Sequence, residues 1–142
     1  MHAFALRLSA LFLAAVFFVA VATPVARAQD SQIEMVIEDQ LAAFQRNDLA
    51  AAFAHAAPGI QQKFGSAENF GHMVRHGYPM IWRPQRHEYR GLAERPAGLF
   101  VKTVLFEDAR GAQFEADYMM RERDGAWRIE GVTLRRLPGV SS

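Results

Sequence analysis

The residues able to do chemistry are few, and none stands in a recognised catalytic spacing. The densest stretch is GYPMIWRPQRHEYR, Gly77 to Arg90, with three aromatics, three arginines, a histidine and two prolines in fourteen residues. His87 could serve as acid or base if a second group oriented its ring. Its neighbour Glu88 falls on the opposite face of an extended strand and cannot do so. Tyr89 shares the face of His87 and could donate to a developing oxyanion. Arg83 carries a planar guanidinium suited to an anionic group at a cavity mouth. Gln40 is the least expected residue of the N-terminal half, because it stands among Val36, Ile37, Leu41 and Phe44. A buried amide without partners costs about 1–3 kcal/mol. It therefore either ties a helix to a sheet or lines a cavity and orients a ligand.

His72 and His76, at i and i+4, share one helix face and would supply two ligands of a zinc site. The residues between them do not give the HExxH pattern and no third ligand can be named, so no metal is assigned. With no cysteine there is no thiol nucleophile, thiolate ligand or disulfide. The sequence has no glycine-rich phosphate loop, nucleophile elbow or kinase signature, and nothing implies a cofactor. Only Lys63 and Lys102 among the 16 basic residues are lysines, a bias that reads as composition rather than chemistry.

The elements that must position these residues divide into a helical half and a strand half. Ser31 and Glu34 form a capping box for a first helix whose apolar stripe is Ile33, Val36, Ile37, Leu41 and Phe44. It stops near Asn47, and Asp48 caps a second helix that ends before Pro58. A short turn follows, with Ile60 and Phe64 one turn apart. Ser66 caps a third helix with Phe70, Met73 and Val74 inward, and Gly77 is placed as the left-handed residue beyond its end. The prolines at 79 and 84 hold the preceding residues extended and forbid helix, making the dense stretch the crossover into a first strand, Gln85 to Leu92. Leu99–Phe106, Ala112–Arg121 and Ala126–Leu134 read as three further strands, with Asp124-Gly125 a hairpin turn. The fold class is α+β, three N-terminal helices on one face of a four-stranded antiparallel sheet. Alternation sends Arg86, Glu88 and Arg90 to solvent, and His87 and Tyr89 toward the helices. It likewise sets Phe114, Ala116, Tyr118 and Met120 against Glu115 and Asp117, and Trp127 and Ile129 against Arg128 and Glu130. Unless a bulge reverses one assignment, the inner sheet wall has no paired acid and base.

Residues 1–28 have the pattern of a secretory signal: Arg7, an apolar run from Leu8 to Ala22, and small residues ending Ala26-Arg27-Ala28. The apolar run is shorter than the roughly 20 residues a membrane span needs, which favours a leader cut after Ala28 over the alternative of an uncleaved membrane anchor, and the cut leaves no stable span. Residues 29–142 form a single domain. The leader takes two of the 16 basic residues and none of the 15 acidic ones, so the remainder is one charge negative. That balance argues against a nucleic-acid partner.

Four runs carry a resemblance: VIEDQLAAFQRND (Val36–Asp48), AAPGIQQKFG (Ala56–Gly65), FGHMVRHGYPMIWRP (Phe70–Pro84) and DGAWRIEGV (Asp124–Val132). With these the chain resembles the domain of unknown function 4864 family, small exported bacterial proteins, over most of residues 31–136. The GYP…RP combination is the most specific part. The sequence departs from the family pattern at Trp82, where tyrosine is expected, and at His87, where an apolar residue is usual. The resemblance implies a curved sheet covered by helices, a cone of the nuclear-transport-factor-2-like or cystatin-like kind, and transfers no catalytic residue.

The resulting expectation is an exported protein, periplasmic if the cell has an outer membrane, acting as a non-catalytic domain. It would bind a small apolar or anionic molecule or a protein partner. The ligand wall would be drawn from Gln40, Tyr78, Trp82, Arg83, His87, Tyr89, Tyr118 and Trp127. The alternative is an isomerase- or dehydratase-like enzyme with His87 as base and Tyr89 or Gln40 as oxyanion donor. A homodimer through the open sheet face, paired by its charged positions, is a third reading.

Overall fold

The structure, a computed structural model, describes residues 16–139. Five helices precede the sheet: α1 (Pro24–Gln45), α2 (Leu49–Ala54), α3 (Pro58–Phe64), α4 (Ala67–Gly77) and α5 (Pro79–Trp82). Four strands follow, β1 (Arg86–Arg95), β2 (Leu99–Glu107), β3 (Gln113–Arg123) and β4 (Ala126–Arg136), as an antiparallel meander in sequence order. The class is α+β, with five helices where three were expected.

Three local causes account for the difference. Pro58 and Pro79 each stand at the first position of a short helix, where the missing N–H is not needed and the fixed φ suits the turn. Proline therefore starts α3 and α5 rather than forbidding helix. Gly77 remains helical, and the chain leaves α4 through Tyr78 at φ −134°. Finally, α1 begins at Pro24 instead of Ser31, because Thr23 Oγ1 accepts from the Ala26 N–H at 3.3 Å and no breaker lies between Val25 and Ser31. Glu34 consequently sits inside the helix and does not cap it. The expected leader thus overlaps the exposed first turns of α1, while its residues 1–15 lie outside the described residues.

The expected caps at Asp48 and Ser66 are present, accepting from Ala51 N and Asn69 N at 3.1 Å each. The β3–β4 hairpin turns through Asp124 and Gly125, both at positive φ (50° and 79°), the backbone a two-residue turn of matching twist requires. The exposed edge of β4 is partly covered by the α2–α3 junction. There Ile129 N donates to His55 O at 2.9 Å, and Ala57 N donates to Ile129 O at 2.8 Å.

The sheet sorts its faces as the alternation predicts. Val104, Phe106, Ala116, Tyr118, Met120, Trp127 and Ile129 pack against Ile33, Ile37, Leu41 and Phe44 of α1. On the far face Arg135 pairs with Glu115 and Asp117, and Arg86 with Glu88 and Glu107. These charges pair within the chain. Such exposed pairs contribute about 0–1 kcal/mol each. A fully buried aliphatic or aromatic side chain contributes about 1.5–3 kcal/mol, so the inner face holds the fold together. Bulges interrupt β1 between Tyr89 and Leu92, and β4 beside Met119 and Met120. The extra residue in β4 is Glu130, yet its carboxylate stays outside, bonded to Arg121 at 3.1 Å and Arg123 at 2.5 Å.

Candidate functional site

The helices do not close fully over the β3–β4 half of the sheet, and a cavity of about 530 Å³ remains. That volume lies within the range of small-molecule sites. Its walls are mostly apolar: Phe44 from α1, Ile60 and Phe64 from α3, Phe70 and Val74 from α4, and Ile81 from α5. Tyr118, Ile129 and Val132 form the sheet side. The short α3 packs against α4 here, its Phe64 ring meeting Phe70 edge-on at 5.8 Å.

Two buried neutral polar groups stand in this lining. Gln40, 4% exposed, donates from Nε2 to the carbonyl of Ala52 at 3.1 Å. Only the amide nitrogen can donate, so this bond also fixes where Oε1 points. Tyr118 is completely buried and its hydroxyl has no hydrogen-bond partner among the described residues. Burial raises its pKa well above the ordinary phenol value and keeps the O–H protonated. Tyr78 also lines the cavity, and the charged lining residues are Lys63 and Glu130.

The structure brings Gln40, Tyr78 and Tyr118 together and places the other expected wall residues elsewhere. Trp82 packs against Phe44, with ring centroids 5.4 Å apart and the planes tilted by 41°. Arg83 donates to the carbonyls of Phe44 (2.7 Å) and Trp82 (2.8 Å) and to Asn47 Oδ1 (3.2 Å). It therefore caps the C-terminal end of α1, where the helix dipole favours a cation. Trp127 donates to Gln32 Oε1 at 3.1 Å and meets Phe100 edge-on.

His87 and Tyr89 form a separate cluster with a carboxylate that sequence reasoning did not supply. Glu38 Oε2 lies 2.8 Å from His87 Nε2 and accepts from the Tyr89 hydroxyl at 2.5 Å. The orienting acid comes from α1, not from the strand. Partial burial works to raise the pKa of Glu38, but the hydrogen bonds from Tyr89 and His87 outweigh it and the net shift is downward. Tyr89 is pushed up first by burial and then by Glu38. None of these three residues lines the cavity, and the Glu38 side chain is 53% exposed.

Lys102 is the residue sequence reasoning missed. It is 1% exposed, and its ammonium lies 2.8 Å from Asp30 Oδ1 and 2.7 Å from Glu34 Oε1. Asp30, Glu34 and Glu38 stand four residues apart and form one ridge of α1 over Lys102, Tyr89 and His87. The signal was present: alternation in β2 puts Lys102 on the face of Val104 and Phe106, in a chain that otherwise uses arginine almost throughout.

Residues 26–142 match the family described as Domain of unknown function (DUF4864). The chain belongs to the DUF4864 family. No curated protein matches it. For DUF4864 the family description supplies no activity, so function has to be argued from the site itself.

Proposed function

We propose that this DUF4864 protein is an exported domain that holds a small, mainly apolar molecule between its helices and sheet without changing it chemically. The observation that carries this reading is the cavity, an apolar space with a fixed amide and a buried, unpartnered hydroxyl among its lining residues. A filled core would have no reason to keep an orphan hydroxyl, whose desolvation costs about 1–3 kcal/mol. Export rests on the leader pattern of residues 1–28, and a periplasmic site on the presence of an outer membrane. Among the described residues no helix is long and apolar enough to cross a membrane. The helices over one sheet face suit a cone of the nuclear-transport-factor-2-like kind, in which such a space lies inside the mouth.

A second reading, an isomerase- or dehydratase-like enzyme, draws on the Glu38 carboxylate beside His87. It is the weaker of the two, because that cluster lies outside the cavity lining and would have to work on a half-exposed edge.

Thermal melting of the purified protein with a panel of small apolar compounds tests the first reading. A binder at 100 times its Kd adds about 2.7 kcal/mol of stability and raises Tm by several degrees. The variant Val132→Trp, which fills the cavity, should lose that rise. The proposal fails if no compound raises Tm, or if the variant responds as the wild type does.

A further inference from the structure

Resting on the cavity reading, we infer that the ligand is a neutral molecule carrying a hydroxyl or phenol group, not a carboxylate or other anion. Gln40 spends its amide nitrogen on Ala52, while its Oε1 makes no hydrogen bond among the described residues. The little surface Gln40 retains belongs to a residue that lines the cavity, so the site offers an acceptor of set direction. The Tyr118 hydroxyl, without a partner among the described residues, is sealed from that space and offers a ligand nothing. A hydroxyl is the simplest neutral group that can donate to the amide oxygen of Gln40.

Charge excludes the anionic class. Arg83, the cation best suited to a carboxylate, is committed to the end of α1 and lies outside the lining. Lys63, the only cation in the lining among the described residues, is an exposed residue of α3. Glu130, also in the lining, has its carboxylate turned outside to Arg121 and Arg123, so it offers an anion no counter-charge. An unpaired charge in so apolar a space is strongly disfavoured.

The test is a matched series of probes, naphthalene, 2-naphthol and 2-naphthoate, titrated by fluorescence against the purified protein. One added hydrogen bond predicts 2-naphthol binding about fivefold tighter than naphthalene, with 2-naphthoate weakest. Gln40→Met should narrow the naphthol preference, and Gln40→Leu should do the same. The second variant removes the same oxygen with a branched chain of similar size, so it remains informative if the first does not fold. Naphthalene binding with no preference for naphthol, a preference that survives both variants, or tightest binding by naphthoate overturns this inference and leaves the cavity reading intact. Failure of all three probes to bind overturns both.

Discussion

Replacing Lys102 should cost far less than replacing the two acids that hold it. The ammonium is 1% exposed, whereas the side chains of Asp30 and Glu34 keep 38% and 35% of their exposure. In Lys102→Met the carboxylates lose their partner but remain in contact with water, and an apolar chain of similar length fills the buried space. Burying an ion pair gains little over burying a well-packed apolar group, so this variant should melt within about 1 kcal/mol of the wild type. The double variant Asp30→Asn, Glu34→Gln keeps the shapes and strands a buried cation without counter-charge. That costs about 3–5 kcal/mol, or a fall in Tm of roughly 10 °C or more. Urea unfolding followed by circular dichroism gives both numbers, with the slope m checking that the unfolded state is unchanged. If Lys102→Met proves the more damaging substitution, the desolvation argument is wrong and the lysine contributes something its contacts do not show.

Tyr118→Phe should stabilise the free protein by about 1 kcal/mol, because a buried hydroxyl without a partner is removed; a lower melting temperature would mean the oxygen is satisfied. Burial holds His55 below its ordinary value of 6.5, with Asp39 opposing and Arg128 assisting. The unfolded chain therefore takes up the proton first. Its contribution to stability is complete above pH 6.5 and declines as pH falls through the lowered value, and His55→Leu should flatten the Tm profile across that interval. Arg83→Met removes the cap of α1 and should cost about 1–2 kcal/mol, read by thermal melting; no change would mean its three bonds do not hold in solution. Glu38, lowered on balance by Tyr89 and His87, helps only while ionised. Acid melting below about pH 4 should therefore be less steep in Glu38→Gln.

The strands are legible in the sequence because a period of two is hard to mistake, and the inward set Ala116, Tyr118, Met120, Trp127 and Ile129 follows from it directly. Asp48, Ser66 and Asp124-Gly125 are legible for the same kind of reason, since cap and turn chemistry is local. What the sequence hides is pairing across distance. Glu38 and His87 are 49 residues apart, and Asp30 and Lys102 are 72 apart. Their meeting depends on how α1 crosses the sheet, which no local pattern encodes. Helix starts fail differently: Pro58 and Pro79 carry both the rule that ends a helix before them and the rule that places them at a first turn. Gln40 is the instructive case, because its position inside an apolar stripe announces a buried amide. Only the packing decides that one end meets Ala52 and the other is left free.

The chain has five isoleucines, and they divide the central claim cleanly. Ile60, Ile81 and Ile129 line the cavity, while Ile33 and Ile37 are packed in the core beneath α1. A methyl spectrum of isoleucine-labelled protein, recorded while 2-naphthol is added, should show the first three resonances moving in a saturable way and the last two nearly still. Five unmoved resonances, or equal shifts at all five, would contradict a ligand space between helices and sheet.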